Sequence, residues 1–359
     1  MRIAQVAALF ESVPPTRYGG TERVIATLTD ELVAAGHDVT LFGAGSSITT
    51  AELVPVVAEP LRPKMSREEM IDVAPHLHLQ KLADVYSRAD EFDVIHSHLD
   101  LLTLPFVATT DVPTLITLHG RLDTDAVQQV FQRYPAAPLV SISDAQRRPL
   151  AGTRLNWVAT VPNGLPLDAY LAQPRAADPD YFAFVGRISH EKRPDLAIEI
   201  ARRTSRCLRI AAKVDPFDLE YFESHIEPLI DGNEIVFTGE MGEVDTPAFY
   251  AGARALLFPS DWPEPFGLVM IESLAAGTPV IALRRGSVPE VLEHGVTGFI
   301  CDSVDEMIAA VDRLDEIDPD ACRAASLEFT GETMCRRYLE AYEQLQRRRP
   351  PLLARTLAG

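Results

Sequence analysis

Glu264 and Glu272 stand eight residues apart in the stretch Phe258-Pro-Ser-Asp-Trp-Pro-Glu264-Pro-Phe266-Gly267-Leu268-Val-Met-Ile-Glu272. An apolar run, Ala255 to Phe258, stops at a proline-broken loop that carries Glu264, and a helical pattern opens at Phe266-Gly267. Strand, loop and helix start together suit an anion. The first N–H groups of a helix have no partner inside it, and the helix dipole is positive there. Glu272 falls about two turns further on, roughly 9 Å along the axis from Phe266 at about 1.5 Å per residue. A phosphate at the helix mouth then has one carboxylate on either side. The competing reading makes Glu264 a solvated loop residue and Glu272 a surface helix position.

An anionic ligand on an acidic chain needs local cations, and Gly186-Arg187-Ile-Ser-His-Glu-Lys192-Arg193 supplies them. Strand Tyr181–Val185 precedes it, and a helix with Pro194 suited to its first position follows. Arg187 and Lys192 thereby project from the loop at the carboxyl edge of a sheet. Arg by bidentate contact and Lys as a point charge can neutralise a diphosphate without a metal. His119 ends the apolar run Pro113-Thr-Leu-Ile-Thr-Leu118, the edge at which open α/β sheets bind ligands, although backbone contacts alone could also occupy it. His96 and His98 end another strand similarly. Gly19-Gly20 closes the loop that follows the first strand, and glycine at a strand-to-helix turn lets backbone approach a phosphate.

Glu264 to Glu272 resembles the E-x7-E motif of the family 4 retaining glycosyltransferases of the GT-B fold, and Arg187 with Lys192 resembles that family's G-R-x4-K motif. Gly19-Gly20, His119, Val161-Pro-Asn-Gly164 and the closing helix fall in the family's order, so the resemblance spans nearly the whole chain. It implies Glu264 facing the donor sugar, Glu272 on the ribose hydroxyls, and the amides of Phe266, Gly267 and Leu268 on the diphosphate. It further implies Gly19 and Gly20 in the donor loop, His119 at the sugar or the reaction centre, and Met241 at the nucleobase. The implied catalytic set is Glu264, His119, Arg187 and Lys192. Gly286-Ser-Val-Pro-Glu290 resembles the family's G-x-x-P-E turn, with Glu290 as a helix-start carboxylate or a ligand contact. One departure is Lys192-Arg193 where the family has Lys-Gly.

The elements that must position these groups alternate in α/β fashion. Ile3–Leu9 reads as a buried parallel strand, Thr21 as the cap of a helix with Val24, Ile25, Leu28 and Leu32 on one face, and Gly36 as its end. His37–Phe42 is a second strand. Gly43-Ala-Gly45 begins like a dinucleotide fingerprint, but its sixth position is Ile48 and no clear helix follows, which argues against a nicotinamide cofactor. A helical segment over Arg67–Arg88 leads to strands at Phe92–His96, Pro113–Leu118, Pro138–Ile142 and Trp157–Val161, with Ser143 placed to cap a short helix. The unperiodic Gln173–Asp180 is the boundary. Beyond it, Cys207–Ala212, Glu234–Phe237 and Gly277–Ile281 read as strands. Met334, Tyr338, Tyr342 and Leu345 share one face of a last helix that Thr330 caps and Arg347-Arg-Arg349 closes. The expected architecture is two Rossmann-like, doubly wound domains across a cleft, residues 1–165 and 175–329, with a crossover helix over about 330–348 returning to the first.

Composition limits the function. The 359 residues hold 33 basic and 52 acidic side chains, a net charge of −19, which disfavours nucleic acid or an anionic membrane as partner. Cys207, Cys301, Cys322 and Cys335 have no zinc-like spacing and read as free thiols of a cytoplasmic protein. No apolar run is long enough for a membrane span, and Ile3–Phe10 lacks the cleavage site of a signal peptide. The resemblance implies a hexosyltransferase that takes a UDP- or GDP-linked sugar, with retention and without a metal or other cofactor. The acceptor is a small molecule, a lipid or a glycan, and no second-face nucleophile stands out, which leaves a front-face route. Two alternatives are a sugar-nucleotide epimerase of the same fold, which needs no acceptor, and a non-catalytic nucleotide-sugar-binding protein.

Overall fold

Seven short strands make the first sheet: β1 (Arg2–Val6), β2 (Asp38–Ala44), β3 (Glu52–Val57), β4 (Val94–Ser97), β5 (Thr114–Leu118), β6 (Leu139–Ser141) and β7 (Trp157–Thr160). The structure is a computed structural model and describes residues 1–17 and 19–347. The strands lie in the order β3-β2-β1-β4-β5-β6-β7, every pair parallel. β1, β4 and β5 are buried almost end to end, since helices cover both faces of a parallel sheet. Helix Gly20–Ala34 sends Val24, Ile25, Leu28 and Leu32 into this core. Each such side chain contributes about 1.5–3 kcal/mol on burial.

Six further strands form a second sheet: β8 (Tyr181–Arg187), β9 (Cys207–Lys213), β10 (Ile235–Gly239), β11 (Ala253–Phe258), β12 (Val280–Leu283) and β13 (Gly298–Cys301). Their order is β10-β9-β8-β11-β12-β13, again parallel throughout. The chain divides into two compact units. Among the described residues, one holds 1–15, 19–165 and 331–347, the other 16–17 and 166–330. Both are Rossmann-like. In each, strand order reverses beside the first strand, between β1 and β4 and between β8 and β11, and the carboxyl ends of such strands are where doubly wound sheets bind ligands.

The closing helix runs over Gly331–Arg347 and counts with the first unit, although the whole second unit separates it in sequence. Met334, Tyr338, Tyr342 and Leu345 are buried along it, together with Cys335 and Ala341. Its first turn is tied to the end of the first unit: Gly331 N donates to Leu165 O at 3.1 Å and Gly164 N to Met334 Sδ at 3.1 Å. Arg347 pairs with Glu343 at 2.7 Å, while Arg348, Arg349 and Tyr18 lie outside the described residues.

Several expected boundaries move. Helix Gly20–Ala34 starts before Thr21, with Gly19 in the cap position, so Thr21 is not a cap. The Arg67–Arg88 segment is two helices, Arg67–Asp72 and Ala74–Ser87, because Pro75 has no N–H to continue a helical ladder. β2 runs on through Gly43 and Ala44, so the Gly43–Gly45 turn starts only after them. β3 was not foreseen: Pro55 interrupts its pattern, yet an edge strand tolerates proline. Arg187 is the last residue of β8 instead of a loop residue, and the E-x7-E helix begins at Leu268, two residues after Phe266. Helix Pro194–Arg203 buries Ala197, Ile198, Ile200 and Ala201 and leaves Leu196 half-buried.

Arg193 precedes that helix in the left-handed region, at φ 54° and ψ 53°. An L side chain there costs about 1–2 kcal/mol, which accounts for a Lys-Gly pair in the family pattern. Arg193 is held by Asp195 at 2.7 Å. Replacing both features separates them: Arg193→Gly is expected to be more stable than Arg193→Ala by about 1 kcal/mol in urea unfolding, since only Ala retains the strain.

Candidate active site

The second unit brings its charged residues together at the β8/β11 reversal. Lys192, five residues beyond β8, reaches the Glu264 carboxylate, which follows β11, and the Trp262 indole Nε1 donates to the same carboxylate oxygen at 2.9 Å. The Lys192 ammonium also lies 5.4 Å from the Trp262 ring centroid and 5.8 Å from that of Phe258. Side-chain exposure is 21% for Lys192 and 10% for Glu264. A pair this enclosed gains little net stability, because desolvation offsets most of its attraction. Its effect is to orient both groups.

Three loops hold that arrangement. Asp261 N donates to Glu191 O at 3.0 Å and Ser260 Oγ to the same oxygen at 3.3 Å, joining the β8 and β11 loops. From the loop after β12, Ser287 N donates to Glu264 O at 2.9 Å and Ser287 Oγ to Phe266 O at 2.8 Å. Arg285 adds an ion pair to Asp261 at 2.9 Å. Gly286 lies so close to this loop that a Cβ on it would fall 2.2 Å from Glu264 O and 2.4 Å from Glu264 N. Its φ of 51° also favours glycine. The G-x-x-P-E turn is thus a backbone support for Glu264, and Glu290 sits in the short helix Val288–Val291 that follows.

Phe266 is buried and packs edge-on against Phe329 with centroids 5.7 Å apart. Gly267 takes a left-handed conformation just before Leu268, so the helix amides begin beside the Glu264 side chain. Arg187 is held at the end of β8 by Asp218 at 3.2 Å and Glu191 at 3.5 Å. Burial pushes the Asp218 carboxyl up, and the Arg187 charge opposes this. Met241 follows β10 and is half-buried.

Glu272 does not face solvent, which corrects the reading of it as a surface helix position. It is 2% exposed on the second turn of its helix. Tyr170 Oη donates to its Oε1 at 3.1 Å and Tyr250 Oη to its Oε2 at 3.0 Å. The structure therefore places one carboxylate, Glu264, beside the helix start and another beneath it.

In the first unit, Gly19 and Gly20 stand at the start of the helix that follows the β1 loop, and a Cβ on Gly19, at φ 156°, would meet the Pro15 ring at 2.8 Å. His119 follows β5. Its N–H donates to Asp100 Oδ1 at 3.2 Å and its Nε2 lies 2.9 Å from His98 Nδ1. Asp100 has φ 39°. Burial pushes its carboxyl up to about 7, with the His119 and Gly120 amides opposing the shift. His96 lies in β4 and His98 directly follows it, and both are buried. Trp262, Asp218, Gly286, Tyr170, Tyr250, Gln5 and Asp100 carry parts of these arrangements that motif spacing did not assign. Only Trp262, two residues before Glu264, and Gly286, inside a quoted motif, left a sequence signal.

Comparison with known proteins gives the family and the fold. A family model described as "Glycosyl transferases group 1" matches residues 171–325, and one described as "Glycosyltransferase Family 4" matches residues 18–169. A glycogen synthase of Mycobacterium tuberculosis is 26% identical over 351 residues, covering 84% of this chain and 82% of that protein. The structure of sucrose-phosphate synthase from Thermosynechococcus elongatus superposes with a TM-score of 0.78 at 20% identity, covering 96% of this chain and 98% of the other. HepE of Anabaena, solved in complex with UDP and glucose, gives 0.73 at 18% identity over 95% of this chain and 99% of the other. Both structures share the GT-B fold with this chain.

Two measurements test the site. Gly286→Ala is expected to lower stability by about 2–4 kcal/mol in denaturant unfolding, combining left-handed strain with overpacking against Glu264. The second concerns pH. Burial lowers His78 and His119 to about 4 and His96 to about 3, and lowers His98 well below its usual value. The unfolded chain protonates these rings near pH 6.5, before the folded chain does, so stability falls as pH drops from about 6.5 toward 4. Asp100 and Asp218, whose carboxyls burial pushes up, act oppositely there, gaining their protons first when folded. Urea midpoints between pH 7 and 5 are expected to decline, and His78→Gln to flatten the decline.

Proposed function

The chain belongs to the family 4 glycosyltransferases, and on that premise we propose that it transfers a hexose from a UDP- or GDP-linked donor, with retention and without a metal, to a small-molecule, lipid or glycan acceptor. The observation that carries this reading is the Glu264 carboxylate held by Lys192 and Trp262 beside the start of helix Leu268–Ala275, with Arg187 at the end of the neighbouring strand β8. A nucleoside diphosphate is a poor leaving group until its growing charge is met. The two cations and the helix amides supply fixed positive charge for it, and preorganised charge of this kind usually contributes most to such catalysis.

Glu264 orients the sugar through its hydroxyls, and Lys192, held on that carboxylate, offers its ammonium charge to the donor phosphate. Arg187 takes the diphosphate bidentately. Phe266, Gly267 and Leu268 present backbone to the phosphates, and Gly19, Gly20 and Met241 complete the donor contacts as the family pattern implies. Glu272 binds the ribose, its carboxylate oriented by Tyr170 and Tyr250. His119 serves the reaction centre. In a front-face route, a donor phosphate oxygen takes the acceptor proton as the C1–O bond to the diphosphate breaks and the acceptor oxygen bonds C1 on that same face. Cys207, Cys301, Cys322 and Cys335 carry free thiols, in keeping with a cytoplasmic setting, and no helix among the described residues is long and apolar enough to cross a membrane.

A thermal-shift panel of UDP, GDP, ADP and their glucose and mannose conjugates identifies the donor. A ligand at about 100 times its Kd adds about 2.7 kcal/mol to apparent stability. With that donor, Arg187→Ala and Lys192→Ala are each expected to lower kcat by about 100-fold or more while the melting temperature stays within a few degrees. Normal turnover in both variants, or no shift with any nucleotide, refutes the reading. Isomerised donor without released nucleoside diphosphate would identify an epimerase.

A further inference from the structure

Beneath His119, the first unit contains a continuous chain of polar side chains that ends on the closing helix. Tyr342 Oη lies 2.7 Å from His96 Nδ1, and His96 Nε2 lies 2.7 Å from Thr117 Oγ1, which lies 2.9 Å from Tyr338 Oη. The Gln5 amide nitrogen donates to Tyr342 Oη at 3.3 Å and approaches His96 Nδ1 at 3.4 Å. The Gln5 Oε1 lies 2.9 Å from His98 Nε2, and His98 Nδ1 lies 2.9 Å from His119 Nε2. Gln5, His96 and Thr117, with Tyr338 and Tyr342, are 0% exposed, and His98 is 5% exposed.

The direction of each bond follows from what each atom can do. With its NH2 on Tyr342, Gln5 presents an oxygen that only accepts, so His98 Nε2 must carry a hydrogen. In a neutral imidazole the other nitrogen then only accepts. His98 Nδ1 therefore takes its hydrogen bond from His119 Nε2–H, which leaves His119 Nδ1 bare. No described residue donates to that nitrogen. We propose that Gln5 and His98 are positioning residues that hold His119 in its Nε2–H tautomer, so that its Nδ1 accepts a hydrogen bond from a sugar hydroxyl.

Burial keeps the rings neutral near pH 7, lowering His119 to about 4 and His98 further, with the charges of His96, His119 and Lys81 acting on His98 in the same sense. A neutral His119 with a bare Nδ1 orients a hydroxyl but supplies no positive charge, which leaves charge stabilisation to Arg187 and Lys192. The tautomer is a property of the ligand-free chain. It rests on the transferase reading only for the identity of the hydroxyl that Nδ1 meets.

The test is two-bond proton–nitrogen correlation NMR of the full chain labelled at histidine nitrogen, at pH 7 and without substrate, with His119 assigned from its loss in His119→Gln. The expected wild-type result is one His119 form, protonated at Nε2. Gln5→Met and His98→Phe are expected to lose that single form, and Gln5→Glu, which retains an acceptor oxygen, to keep it. Near-UV circular dichroism checks folding of each variant, and if Gln5→Met does not fold, His98→Phe and Gln5→Glu decide. A wild-type His119 protonated at Nδ1, as a Gln5 amide turned by half a rotation would enforce, overturns the proposal. So does a folded Gln5→Met or His98→Phe protein that keeps the single wild-type form. Because no donor enters this measurement, failure of the transferase assay leaves its result standing.

Discussion

The contact of Gly286 with the backbone of Glu264 is the constraint on which the second unit's chemistry depends. Glu264 sits in a loop with prolines on both sides, and a loop by itself would not hold a carboxylate still. The β12 loop presses against its backbone through the one residue with no Cβ to clash, and Ser287 ties the carbonyl groups of Glu264 and Phe266 in place. Only then can Lys192 and Trp262 meet the carboxylate at fixed positions. Charges held in advance need no reorganisation when an opposite charge arrives, which is the physical advantage of a rigid cradle over the same charges on mobile side chains.

The first unit solves a different problem. A row of buried histidines, tyrosines and a glutamine is costly unless each polar atom has a partner. Along the chain from His119 to Tyr338 the partners are present within hydrogen-bonding distance. Both tyrosines, Tyr338 and Tyr342, come from the closing helix, which returns to this unit after the whole second unit has been traversed. The return of that helix therefore fills the core with apolar surface and also completes the hydrogen bonding of β1, β4 and β5. Without it, Gln5 and His96 would lose buried partners, a penalty of about 1–3 kcal/mol for each group left unsatisfied.

Legibility from sequence followed the range of the physics involved. Strand and helix alternation was readable because burial on both faces gives continuous apolar runs, and β1, β5 and β8 appear close to where those runs lie. β3 escaped because Pro55 breaks the pattern that an edge strand does not need. Arg187, Lys192 and Glu264 stood out through spacing and charge type. Asp218, which holds Arg187, comes from a loop 31 residues further along the chain, where spacing carries no information, and Gly286 supports Glu264 from 22 residues away, inside a turn whose motif did not say what it touches. Glu272 shows the limit most plainly. Its position in the motif was visible, yet its burial under two tyrosines depends on Tyr170 and Tyr250 packing onto the helix, which no local pattern encodes.

What this chain's sequence determined alone was the α/β alternation, the helix start beside Glu264 and the two cations at and after the end of β8, because each depends on residues close along the chain. What the tertiary structure decided was which carboxylate stands beside that helix start, what fixes it there, and how His119 is held from below. Those outcomes depend on strands that reverse order at β1/β4 and β8/β11 and bring remote loops to one edge. Local preference cannot specify such an edge, since it exists only once the parallel strands have paired.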